Sequence, residues 1–205
     1  KLQDFDPSIQ VPEENLELFD KWILKRSFET AGKMAEAFRR YDYAEARQLF
    51  EDFFWREFCD NYLEIAKGRL SIDPNDKERR GKKLSAQYAA YHSFLNILKM
   101  ASPFVPHITE EMYHAEIVKR GEGESVCEFI DSKSESGYFF KHERIKSIHR
   151  TKWPTSLSKP LETEIIKGAE TALLIISKAR KIKTIKKIGL GTPISLLEIK
   201  CPPDK

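Results

Sequence analysis

The stretch FEDFFWREFCDNYLEIAKGRL, residues 50–70, constrains the fold more than any other part of the chain. At helical spacing Trp55, Phe58, Cys59, Tyr62 and Ala66 recur at i, i+3, i+4, i+7 and i+11, a continuous apolar stripe. Arg56, Glu57, Asp60, Glu64 and Lys67 fall on the opposite side. No single helix buries so many rings, with Phe50, Phe53 and Phe54 just ahead of them, so the segment demands large partner helices.

Partners are legible on both sides. A first helix is predicted over about 12–40, with Leu16, Phe19, Ile23, Thr30, Met34, Ala37 and Phe38 near one face. Asp42 reads as the N-cap of a second helix from Tyr43 to about Leu70. Asp73-Pro74-Asn75-Asp76 is a turn leading into a third, which carries Leu84, Tyr88, Tyr91, Leu95 and Leu98. Pro103 stops that helix, and Pro106 opens a shorter fourth through Ile108, Met112 and Ala115. Glu110 and Glu111 lie in its early turns, where a carboxylate suits the positive helix end. Short connections between long helices imply antiparallel neighbours.

Beyond Arg120 the character changes. GEGES and DSKSESG flank a short β-like run over 126–130 and mark a variable insertion. Residues 147–153 are predicted extended and closed by Pro154. A fifth helix is expected over about 161–183, with Ile165, Ile166, Ala169, Leu173, Ile176 and Ala179. Gly189-Leu190-Gly191-Thr192-Pro193 turns the chain, and 194–199 reads as a strand. The expected architecture is mainly α: an antiparallel helical bundle over 1–120, an insertion or loop over 121–146, and a small, incomplete α/β appendage over 147–205.

Charge narrows the function classes. The net charge of +3 over 205 residues is ordinary, but residues 141–187 hold thirteen Lys and Arg against four Glu and no Asp. A local excess of nine positive charges points to a polyanion such as nucleic acid. Three dispersed cysteines suit a reducing cytosol better than a disulfide framework. No run approaches the roughly 20 apolar residues a spanning helix needs, so no membrane partner is expected. An opening Lys1 in place of Met reads as a piece of a longer protein.

Three motifs carry a family resemblance: WREFCDNYLEIAKGRL (55–70), MASPFVPHITEEMY (100–113) and SIHRTKWP (147–154). Together with the Thr-Pro-Ile near the end, they resemble the C-terminal region of class I aminoacyl-tRNA synthetases of the valine, isoleucine and leucine branch. The first motif is similar to the valyl form of the anticodon-binding bundle, where an aromatic, Cys-Asp, Tyr-Leu-Glu and Lys-x-Arg follow in this order. His107 and Met112-Tyr113 depart from the commoner residues as packing variants. The family's ATP-handling signatures, His-Ile-Gly-His and Lys-Met-Ser-Lys-Ser, occur nowhere in the sequence. The resemblance therefore implies a noncatalytic tRNA-binding module of a cytoplasmic ligase. Its partners would be valine tRNA and the parent's own catalytic domain; ATP and Mg would serve the full enzyme, with no cofactor in this piece. The isoleucyl counterpart is one alternative, and a helical scaffold contacting the catalytic domain or a synthetase complex is another.

RNA loops are held by aromatic or guanidinium stacking and by phosphate contacts. DKWILKR supplies those residue types, with Lys21, Lys25 and Arg26 flanking Trp22, and because the family's matching basic-aromatic pair lies near the anticodon the resemblance puts Lys21 and Trp22 forward. The competing reading places Trp22 in the core and the cations on a solvated face. Lys178, Arg180, Lys181, Lys183, Lys186 and Lys187 form the best electrostatic candidate, against an ordinary solvated helix face. Arg150 and Lys152, with Arg144 and Lys146, carry the same idea more weakly. Asp60, Glu64, Lys67 and Arg69 fit internal ion pairs better than RNA contacts. A metal site at His107, Glu110 and His114 lacks any HExxH or CxxC pattern, and a Cys59–His92 nucleophile pair is opposed by the apolar setting of Cys59.

Overall fold

The computed structural model describes residues 2–118, 146–154, 163–189 and 191–199. Helix α1 (Leu18–Arg39) is the axis of the first of two units, Lys1–Ile166. It packs along α4 (Arg80–Ala101) and against α2 (Tyr43–Glu51), which together leave it little free surface. Trp22, Ile23, Leu24, Ser27, Phe28, Thr30, Ala31, Met34 and Ala37 are all buried, far more than one stripe. The first helix does not begin near Pro12. A 3-10 turn at Glu13–Asn15 is followed by extended backbone at Leu16, and the Glu17 N–H donates to Ser85 Oγ at 2.9 Å. That detour lets the leading strap dock on α4. Lys83 Nζ and Gln87 Nε2 donate to the Asp4 carboxylate at 2.6 and 2.7 Å, and Phe5 packs on Tyr91 with centroids 5.4 Å apart.

Helix α1 ends in a Schellman closure, in which the Asp42 N–H reaches Ala37 O at 2.9 Å while Tyr41 takes a left-handed φ of 60°. Asp42 then caps α2 as expected, accepting from the Glu45 N–H at 2.9 Å. The rod that follows is one continuous run: α2, a π-helical stretch over Asp52–Leu63, and α3 (Glu64–Leu70). Asn61 Nδ2 donates to the carbonyl of Arg56 at 2.7 Å, within this wider coil.

The π geometry corrects the expected apolar stripe. Bonds from i to i+5 widen each turn, so residues facing the core lie further apart in sequence than in an α-helix. The buried set is Phe53, Phe58, Tyr62, Ala66 and Leu70, at steps of five and then four. Trp55, expected inside, is 59% exposed, and Cys59 is half-buried.

Helix α4 stops at Ala101, ahead of Pro103, and α5 (Pro106–Met112) starts on its proline and continues as a π-helical turn over Tyr113–Val118. Tyr113 and Ile117 are buried. The segment expected to be extended over 147–153 is extended at Ser147 and at Thr151 but not throughout. Between them Ile148–Arg150 forms a 3-10 turn, with Ser147 Oγ accepting from the His149 N–H at 3.3 Å.

The second unit, Lys167–Lys205, contains most of α6 (Thr163–Ile185). This helix also ends in a Schellman closure: the Ile188 N–H donates to Lys183 O at 2.9 Å, and Lys187 has φ 53°. The Thr192 N–H then bonds Gly189 O at 3.0 Å, in the turn read from the sequence. The strand expected over 194–199 is not formed, and Ile194, Leu196, Leu197 and Ile199 are exposed. A strand is held by a neighbour that takes its N–H and C=O groups, and no strand occurs among the described residues. The bundle is thus as expected, whereas an α/β appendage is not what the described residues form; the β-like run at 126–130 lies outside them.

Candidate nucleic-acid interface

The best-defined polar constellation is internal. Asp20, wholly buried on α1, accepts from Tyr62 Oη at 2.9 Å, from Ser85 Oγ, and from both terminal nitrogens of Arg69. One carboxylate therefore ties α1 to the π-helical stretch, α3 and α4. Burial, and then the neighbouring Asp20 charge, pushes the Tyr62 phenol well above its ordinary range, so it stays a donor. Arg69 takes the internal role expected of it. Lys67 pairs with Glu64 at 3.7 Å and Arg56 with Asp52 at 3.4 Å, both on the surface.

The α1 candidates are largely committed to the fold. Trp22 is 3% exposed, and its Nε1 has no hydrogen-bond partner among the described residues, so the ring is packed and cannot meet a base without movement. Arg26 donates from Nε and Nη2 to both Glu57 oxygens at 2.7 and 2.6 Å and from Nη1 to Glu29 at 2.9 Å. The Glu57 bonds foremost hold its pKa above even the usual guanidinium range. Lys25 pairs with Glu29 at 3.4 Å with its side chain only 13% exposed, and Lys21 is half-buried.

The later cations face water. Arg150 and Lys152 are exposed in the first unit, in a segment anchored at both ends. At one end the Glu110 carboxylate accepts from the Ile148 N–H at 2.9 Å and from Ser147 Oγ at 3.2 Å, with His114 Nε2 at 3.2 Å. Burial opposes the Glu110 charge, but these donors together hold its pKa below the usual value. At the other end Trp153 Nε1 donates to Ala31 O at 2.9 Å, and its ring meets Phe38 edge-on at 5.8 Å. In the second unit Lys178, Lys181, Lys186 and Lys187 are exposed. Arg180 is half-buried, as is Lys183, whose Nζ donates to Thr192 O. Glu170 is the one acid between 167 and 187. Such a row of cations can neutralise successive phosphates, which positions a nucleic acid without reading its bases.

Three features escaped sequence reasoning. Asp20 carried a signal, an acid between Leu16 and Ile23 on an otherwise apolar face. The exposure of Trp55 carried none, because the stripe was measured with an α-helical period. Glu110 was read as favourable to its own helix, but its strongest contacts are to the backbone 38 residues later.

The family model for the anticodon-binding domain of tRNA ligase matches residues 20–199. The valine–tRNA ligase of Rickettsia felis is 33% identical over 205 residues, covering 97% of this chain and 20% of the relative. That of Rickettsia canadensis is 34% identical over 206 residues, covering 97% and 22%, respectively. The valine–tRNA ligase of Haloarcula marismortui is 31% identical over 186 residues, covering 91% and 17%. The chain thus spans about a fifth of the length of the curated relatives it matches.

Proposed function

The chain belongs to the anticodon-binding domain family of tRNA ligases, and from that premise we propose that it holds the anticodon arm of valine tRNA. Aminoacylation, with its ATP and Mg, belongs on this reading to other parts of a cytoplasmic valine–tRNA ligase. The chain has neither ATP-handling signature, and no group of three His, Cys, Asp or Glu among the described residues could hold a metal ion. No described helix is long and apolar enough to cross a membrane.

The observation that carries the reading is the cationic end of α6. Lys178, Arg180, Lys181, Lys183, Lys186 and Lys187 fall within ten residues, four of them exposed. Arg150 and Lys152 add solvent-facing charge in the first unit. Of the α1 candidates, Lys21 is the most available, whereas Trp22, Lys25 and Arg26 would have to leave the partners or packing described above. Filter binding of a valine tRNA transcript across a salt series tests this. Log affinity should fall linearly with log salt, and the Lys186→Glu/Lys187→Glu variant should flatten the slope by about two phosphate contacts. An unchanged slope removes these lysines from the interface. Equal affinity for every tRNA would mean that the module positions RNA and reads no anticodon.

A second reading rests on a different observation in the same unit. Ile182, Ile185, Ile188, Ile194, Leu196, Leu197 and Ile199 are each at least 42% exposed. Apolar exposure of that kind marks a protein contact, and the ligase's own catalytic domain is the partner it would fit.

A further inference from the structure

The π-helical stretch places Trp55 where an α-helix would not. The ring is 59% exposed and contributes little to the core, yet it is braced. Phe54 meets it edge-on with centroids 4.7 Å apart, and Phe50 stacks on Phe54 at 5.7 Å with the planes 9° apart. Arg56 follows in sequence with its side chain 77% exposed, and Arg47, two turns earlier on the same rod, is 68% exposed. A broad ring held from behind, with exposed guanidinium groups on the same rod, supplies what an unpaired base and its phosphates need.

We infer that Trp55, braced by Phe54 and Phe50, is a stacking platform for an unpaired base of bound RNA, with Arg56 and Arg47 receiving adjacent phosphates. This rests on the tRNA reading above and adds a contact outside the cationic row. The size and surroundings of the patch favour a base over a protein. The exposed ring sits on a stretch of the rod rich in charge, with Arg47, Glu51, Asp52, Arg56, Glu57 and Asp60 within eight residues of it in sequence. Standard protein interfaces hide about 800 Å² on each partner and exclude charge from their centres. The acids do not lock the arginines away. Arg47–Glu51 at 2.7 Å and Arg56–Asp52 at 3.4 Å are exposed i, i+4 pairs, which contribute little and exchange readily for phosphate.

The chain carries its own probe. Trp22 is buried and Trp153 half-buried, so Trp55 dominates the emission that iodide can quench. A valine tRNA transcript is titrated at low salt into the wild type, Trp55→Ala and Trp55→Phe, with circular dichroism confirming equal helix content. The exposed emission should fall and lose its iodide sensitivity as tRNA binds. Affinity should weaken about tenfold in Trp55→Ala and less than threefold in Trp55→Phe, whose ring still stacks. Wild-type affinity in Trp55→Ala, while Lys186→Glu/Lys187→Glu still weakens binding, would overturn the platform and leave the tRNA reading standing. Shielding of Trp55 by an added ligase catalytic domain, but not by tRNA, would overturn it in favour of a protein contact. No tRNA binding by the wild type would remove both.

Discussion

Helices α4 and α6 are nearly equal in length, at 22 and 23 residues, and their compositions rank them in the wrong order for burial. Helix α6 holds eight Leu and Ile, α4 only four. Yet α4 is buried on almost every side from Ser85 to Ala101, whereas Ala169 is the one fully buried residue among those described in α6. The difference lies in the neighbours. Helix α4 is covered by α1, α3, α5 and the leading strap, and four of its polar side chains find partners there: Ser85 with Asp20, Asn96 Nδ2 with Ser27 Oγ at 3.0 Å, Lys83 and Gln87 with Asp4. A helix of modest apolarity is thus buried where its neighbours also take much of its hydrogen bonding, whereas apolar composition alone leaves all but one of the described residues of α6 at least partly exposed.

The strongest way to break that contrast is to remove the carboxylate that joins the surroundings of α4. Asp20→Ala leaves Arg69, Tyr62 and Ser85 without their common acceptor, and urea unfolding should show a loss of about 3–5 kcal/mol. Asp20→Ala combined with Arg69→Met should recover part of it, because no charge then remains uncompensated. Truncation of matched leucines tests the packing directly. Leu95→Ala in α4 should cost about 2–5 kcal/mol, whereas Leu174→Ala, at a site already 56% exposed, should fall within about 0.5 kcal/mol. A smaller effect of opposite sign is expected at the end of α6. Lys187→Gly relieves the left-handed backbone and should stabilise that terminus by about 1 kcal/mol, read as slower hydrogen exchange in its last turn.

The weakest effect concerns the strap over α4. The Lys83 hydrogen bond foremost, with Gln87 adding to it, holds the Asp4 carboxyl below its usual pKa. A lowered folded-state pKa contributes stability that is complete above the unfolded value near 4 and disappears as pH falls through the folded one. Acid titration should therefore loosen the strap in that window, seen as faster exchange at the Phe5 amide. Asp4→Asn should remove the pH dependence.

Local chemistry was legible where a residue acts on its own backbone. Asp42 as a cap, Pro106 as a helix start and the turn at Asp73, where the Asp76 N–H bonds Asp73 O at 3.0 Å, all followed from single residues and near neighbours. The two tryptophans show where that stops. Trp22 lies off the α1 stripe but is buried, because α1 is enclosed from several directions between Asp20 and Thr30, where no residue is fully exposed. Trp55 lies on a stripe but is exposed, because the helix that carries it does not turn with the assumed period. The Asp20–Arg69 pair spans 49 residues, and no local pattern announces such a partner. The cations of α6 were visible as a charge run, but composition alone could not distinguish them from Arg26, which is taken by Glu57.

The wide coil between Asp52 and Leu63 also gives the rod a place that tolerates editing. The step of five from Phe53 to Phe58 amounts to one surplus amino acid, so excising one between them would let the backbone rewind to the tighter spiral with Ala66, Leu70 and the guanidinium of Arg69 still turned inward. The same excision at the start of α3 has no such slack and would swing everything after it by roughly 100°.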